Sequence, residues 1–188
     1  MATLKPLEIE IRQLFGKCVW THKIQEKQAD IYKCWSFWLE MVRIVLSALT
    51  TSGILAILFM NNVNSFALKL ATAIISLIST GVTLYLKKYD LATLEIEHKK
   101  NATEWLCLRE DYMALITDLM CDRLTEEELI EKRDCLLEKY KTLACNSPNT
   151  SSKAYTKACE SLKVNMDNTI SDEELKSFLP EGLVRGGE

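Results

Sequence analysis

Residues 44–86 read IVLSALTTSGILAILFMNNVNSFALKLATAIISLISTGVTLYL, with 25 uncharged residues from Ile44 to Leu68 and 17 from Leu70 to Leu86 on either side of Lys69. An α-helix rises about 1.5 Å per residue, so 17 residues reach roughly 25 Å into a hydrocarbon core about 30 Å thick. Asn61, Asn62 and Asn64 favour a turn or water. The stretch therefore reads as a membrane-spanning helical hairpin, with spans at 44–60 and 70–86. The buried centre of a soluble bundle satisfies the same lengths, and the many Ser and Thr residues lower the hydropathy, so that alternative stays open. The flanks favour the membrane. Trp35, Trp38, Tyr85 and Tyr89 stand where interfacial aromatics sit, and Lys23, Lys27, Lys33, Arg43, Lys87, Lys88, Lys99 and Lys100 crowd the outer sides of the spans. This bias places both termini in the cytoplasm.

Outward from the hairpin, the pattern is helical throughout. Among 188 residues there are six Gly and three Pro, and the prolines, Pro6, Pro148 and Pro180, all lie outside the apolar runs. Ile24, Gln28, Ile31, Trp35, Trp38 and Val42 recur in steps of four and three, and neither Gly nor Pro interrupts residues 23–52. A cytoplasmic helix over 7–43 is thus expected to run straight into the first span. Leu91, Leu94, His98, Asn101, Trp105, Leu108, Tyr112, Leu115 and Leu119 continue the same steps, predicting a stalk helix over 87–121 that prolongs the second span. Polar residues at two adjacent seam positions fix register or oligomeric state, which makes His98 and Asn101, with Trp105 and Tyr112, the candidate assembly seam. A partly exposed pair satisfied by Glu95 and Glu97 is the plainer reading.

Thr125-Glu126-Glu127-Glu128 has the form of a capping box, so a helix over 126–145 follows a turn near Asp122. Its Leu129, Arg133, Leu136, Tyr140 and Leu143 fall on one face, predicting an antiparallel partner for the stalk. Short helices over 152–180, the last capped at Ser171, and a loose tail at 181–188 complete a single all-α domain.

The chemistry of enzymes is missing. There is no Gly-rich phosphate loop, no HExxH and no nucleophile elbow, and His22 and His98 lie far apart in sequence. Carboxylate runs such as Glu126-Glu127-Glu128 complement a helix N-terminus. No catalytic, cofactor-binding or metal-binding residue is assigned. The seven cysteines form no CxxC pair and are odd in number, which points to reduced thiols packed as small hydrophobes. No N-terminal signal peptide is expected, because the first long apolar run starts only at Ile44. Residues 1–100 carry 12 Lys/Arg against 8 Asp/Glu, and residues 101–188 carry 11 against 18. The basic half suits an anionic cytoplasmic leaflet, and the acidic half disfavours direct binding of nucleic acid. A solvated helical surface or a docking face for a basic partner both fit that acidity.

Within the spans, Ala48, Ser52 and Ala56 recur every fourth residue, a spacing that permits close helix approach. Thr72, Ser76, Ser79 and Thr83 form a hydroxyl stripe on the second span. Both sets are candidate helix-packing or pore-facing positions, and two short helices enclose a conduit only when several chains associate.

Particular strings carry a resemblance: Trp20-Thr21-His22-Lys23 with Glu26-Lys27-Gln28-Ala29-Asp30, Leu46-Ser47-Ala48-Leu49-Thr50-Thr51-Ser52-Gly53, Leu84-Tyr85-Leu86-Lys87 with Asp90-Leu91, and His98-Lys99. Leu108-Arg109-Glu110-Asp111-Tyr112 with Thr117-Asp118-Leu119, Thr150-Ser151-Ser152-Lys153-Ala154-Tyr155 and Ser171-Asp172-Glu173-Glu174 with Phe178-Leu179-Pro180 extend it over nearly the whole chain. In this order the chain resembles the SLATT family, two-transmembrane effector domains of bacterial conflict systems. It departs from the family pattern at Gln25, where several relatives carry His before the Glu. The resemblance implies a non-enzymatic effector of the bacterial inner membrane that forms oligomeric pores or disrupts the bilayer during anti-phage defence. The implied partners are membrane lipid, further copies of the chain, and a co-encoded signalling enzyme such as a nucleotidyltransferase or reverse transcriptase, whose nucleotide messenger is a possible trigger. A helical subunit that regulates such an enzyme without making a pore is the alternative, and a soluble resting form is compatible with either.

Overall fold

A computed structural model describes residues 4–59 and 65–167, and every described element is α-helical: α1 (Leu4–Phe59), α2 (Ser65–Lys88), α3 (Leu91–Met120), α4 (Glu126–Asn146) and α5 (Ser152–Lys163). The expected turn at Asn61–Asn64 and the expected cap at Ser171 with its helix lie outside the described residues. α1 is a single rod of 56 residues, about 84 Å long at 1.5 Å per residue. Its N-terminal part belongs to the helical bundle and its C-terminal part is the first candidate span. No backbone break separates the two, as the lack of Gly and Pro over 23–52 predicts.

The second span does not run unbroken into a stalk. α2 stops at Lys88, and Asp90 caps a new helix by accepting hydrogen bonds from the Thr93 amide at 3.1 Å and the Thr93 hydroxyl at 2.5 Å. An Asp at this position gives the chain a local alternative to continuing the helix, a competition the heptad pattern does not register. The same hydrogen bonds hold the Asp90 carboxyl below the ordinary carboxylate range. The rod is thus rigid along α1 and jointed between α2 and α3.

The other ends follow local chemistry. Asp122 takes a left-handed φ of 50° after α3, a conformation Asp tolerates better than most residues. The Thr125–Glu128 capping box then forms in full, with the Glu128 carboxylate accepting from the Thr125 amide at 2.9 Å and from its hydroxyl at 2.8 Å. Ser147 and Pro148 end α4, and Ser151 caps α5.

The core lies among α1, α3 and α4. Ile11, Leu14 and Cys18 of α1 meet Trp105, Leu108, Tyr112 and Leu115 of α3, and Leu129 and Leu136 of α4 close it. The α3 and α4 seams follow the sequence reading, and α4 packs back along α3. The α1 seam does not: Gln28 and Ile31 are buried, but Trp35, Trp38 and Val42 are exposed, and Ile11, Leu14, Cys18 and Gln25 lie inside instead. Of the cysteines, Cys18 alone packs as a buried hydrophobe, its thiol pushed up to about 12 by burial, while Cys34, Cys107, Cys121, Cys135 and Cys145 are exposed. α5 lies on α1, with Ala154 and Ala158 buried, Tyr155 stacked on Trp20 at 6.0 Å between ring centres, and Lys163 over the same indole.

Candidate functional site

α1 and α2 are both long and apolar enough to cross a membrane, and along their apolar stretches Thr72 alone among the described residues is buried within the chain. A helix at the centre of a soluble bundle would be covered there. Phe59, Phe66 and Leu77 are exposed along the pair, and the aromatic positions Trp35, Trp38, Tyr85 and Tyr89 are exposed at its bundle end. Lys88 lies 5.4 Å from the Tyr89 ring centre, so the cationic and aromatic flanks are one patch. Apolar surface of this extent, bare of protein, is matched by lipid.

The two spans meet along a seam that small-residue spacing alone misplaces. Leu46, Thr50, Gly53 and Ile57 of α1 turn inward against Leu68, Thr72, Ile75, Ser79, Val82 and Leu86 of α2, each run in steps of three and four. The closest approach is at Gly53, where an added Cβ would stand 2.5 Å from the Thr72 Oγ1. Thr72 is buried there, its hydroxyl donating to the Leu68 carbonyl at 2.9 Å. Of the positions selected from sequence, Ala56, Thr72 and Ser79 therefore lie on or beside the packing face. Ala48, Ser52, Ser76 and Thr83 are exposed. Gly53 was the missed contact; its signal is a Gly inside an apolar helix, in register with Leu46, Thr50 and Ile57. Four of the selected residues, Ala48, Ser52, Ser79 and Thr83, line an open groove of about 660 Å³ on one side of the hairpin, together with Arg43.

The proposed assembly seam has an intramolecular occupant. His98, Asn101, Trp105 and Tyr112 are all buried, and they face this chain's own α1 and α4 instead of a second copy. His98 is 2% exposed. Its Nδ1 lies 2.5 Å from the Oε1 of Gln25, whose Nε2 donates to the Pro148 carbonyl at 3.0 Å. Since the amide oxygen is the acceptor, the His98 proton resides on Nδ1. Burial pushes the His98 pKa below the ordinary imidazole value, with Glu97 acting in the opposite direction. One turn along α1, Gln28 Oε1 accepts from the amide and hydroxyl of Ser151 at 2.9 and 2.8 Å, and Trp105 Nε1 donates to Ser147 Oγ at 2.9 Å. His22 Nδ1 reaches the Ala102 carbonyl at 2.9 Å. These bonds form a latch that fastens the loop between α4 and α5 to both long helices near the membrane end of the bundle. Gln25 and Gln28 were not among the candidate site residues read from sequence, although Gln28 falls in the α1 seam. Asn101 is the unsatisfied member: it is 6% exposed and its Oδ1 has no hydrogen-bond partner among the described residues.

Among the described residues, no group of three or more His, Cys, Asp or Glu side chains is placed to hold a metal ion. The arrangement is a jointed membrane hairpin under a latched helical bundle, and the model of the SMODS and SLOG-associating 2TM effector domain family 4 matches residues 7–174. The chain belongs to this SLATT family. No curated protein and no solved structure matches it. The matched span of the SLATT chain takes in α1 from residue 7 and all of α2 to α5, so hairpin, joint and latch are all parts of the effector domain.

Proposed function

We propose that this SLATT chain is the membrane-acting component of a bacterial anti-phage defence system. Several hairpins associate in the inner membrane and permeabilise it when a partner enzyme, or its product, engages the cytoplasmic bundle. The observation that carries this reading is the bare apolar surface of the two spans, joined to the bundle by the unbroken α1. A change in the bundle is transmitted by a rigid helix, while the joint at Asp90 lets α2 reorient relative to α3. Catalysis has no part in it. In bacteria expressing the chain with its co-encoded partner, the expected outcome is loss of membrane potential on triggering, with the chain in the membrane fraction. Retained potential in triggered cells, or recovery in the soluble fraction without detergent, contradicts it.

A second reading, a membrane-anchored subunit that holds a partner enzyme without making a pore, draws on the cytoplasmic groove between α3 and α4. This groove of about 840 Å³ is lined by Glu97, Asn101, Glu104, Glu138, Thr142 and Asn146 among others, and its Asn101 has an unused amide oxygen. Stable capture of the co-encoded enzyme by membranes that never leak is the result that favours it.

A further inference from the structure

From Met41 to Tyr89 the sequence contains no Asp or Glu, and its charges are Arg43, Lys69, Lys87 and Lys88. Arg43 lines the groove of about 660 Å³ along the hairpin, together with Ile44, Ser47, Ala48, Thr51 and Ser52 of α1 and Ser79 and Thr83 of α2. Lys87 and Lys88 do not line it. The Arg43 guanidinium has one ion pair among the described residues, with Glu40 at the long separation of 4.0 Å, so its charge is weakly compensated. The hydroxyls of Thr51 and Thr83 donate to the carbonyls of Ser47 and Ser79 at 3.0 and 2.9 Å, whereas those of Ser47, Ser52 and Ser79 donate to no described residue. Beside the apolar Ile44 and Ala48, the wall thus presents three uncommitted serine hydroxyls and a guanidinium, and no carboxylate.

We propose that the conduit formed by associated hairpins selects small monovalent anions such as chloride, with this groove as its wall and Arg43 as the charge at its cytoplasmic mouth. The proposal rests on the pore reading above and names what passes. An anion leaving bulk water finds donors in exchange for part of its hydration shell, and the fixed positive charge concentrates it at the entrance. A cation meets repulsion at Arg43 and no compensating carboxylate along the spans. Arg and Lys also collect on cytoplasmic flanks to set topology; Lys88 belongs to that flank but not to the groove, which separates the two roles by experiment.

The test is the reversal potential of the purified full chain in planar bilayers under a potassium chloride gradient. The expected result is a reversal potential of the sign that marks chloride as the more permeant ion. Arg43→Glu should invert that sign, Arg43→Lys should keep it, and Lys88→Gln should leave it unchanged. Arg43→Gln, which inserts with Lys33, Lys87 and Lys88 still on the flank, should lower the chloride preference if the Glu variant fails to insert. A potassium preference in the unsubstituted chain overturns the anion proposal and leaves the pore reading standing, as does an Arg43→Glu channel indistinguishable from its parent. Equal effects of Arg43→Gln and Lys88→Gln overturn it in favour of general surface charge. Absence of any current from inserted protein overturns the pore reading and the proposal together.

Discussion

Gln25 serves two partners at once, which makes it the most consequential single side chain in the latch. Gln25→Leu leaves the His98 Nδ1–H and the Pro148 carbonyl without their present partner. The expected loss is about 1–3 kcal/mol of stability, measured as a lower denaturation midpoint in detergent. Asn101→Leu should act in the opposite sense, raising stability by about 1 kcal/mol by removing a buried acceptor that has no partner. His98 gives the latch a pH dependence. Its folded pKa lies below the unfolded value, so between those two values the unfolded chain binds more protons. Its contribution to stability is therefore complete above the unfolded pKa of about 6.5 and declines as the pH falls towards the lower folded value. Thermal midpoints should drop from about pH 7 to about pH 5, and His98→Asn should flatten that part of the curve. The seam through His98, Asn101, Trp105 and Tyr112 was legible from spacing alone, but its occupant was not. A period of three and four reports that a face is covered, and an intramolecular α1 covers it as well as a second chain would. The amide contacts at Gln25 and Gln28 join residues more than 120 positions from their loop partners, a separation that no local pattern encodes.

At the scale of elements, the helices were legible because their apolar repeats are long and their caps strong. The break between α2 and α3 was hidden because the apolar repeat resumes at Leu91 directly after it, and one Asp side chain decides the matter. In the hairpin, the spacing of Ala48, Ser52 and Ala56 pointed to one face and the structure packs another, centred on Gly53 and Thr72. Small residues permit close approach without specifying which of two neighbouring faces receives the partner. Gly53→Leu drives its side chain into Thr72 and should destabilise the hairpin by about 1–3 kcal/mol. Cross-linking between cysteines placed on facing positions of α1 and α2 would read this as a loss of cross-linked product. Thr72→Ala in the same chain should restore part of the yield; wild-type yield in Gly53→Leu alone would show that the two helices do not meet there.

Across the whole molecule, the division is between a helical bundle with its own core and a hairpin that has none. Ile11, Trp105, Tyr112 and Leu129 are buried by the chain itself, whereas the apolar spans are bare outside the seam where they meet at Gly53 and Thr72. The choice between a membrane hairpin and a soluble bundle could not be made from run length, since both need the same apolar residues. It turns on what covers them, a property of the folded chain. On the proposed pore reading, lipid and further hairpins complete the bare surface, and the resulting assembly breaches the bilayer. Proteoliposomes carrying the purified chain and an entrapped small-ion indicator test this directly, with the co-encoded partner and its substrates added to trigger release. Ion flux that appears on triggering and rises more steeply than in proportion to the chain density is the predicted result; vesicles that stay sealed with the triggered hairpin inserted would contradict it.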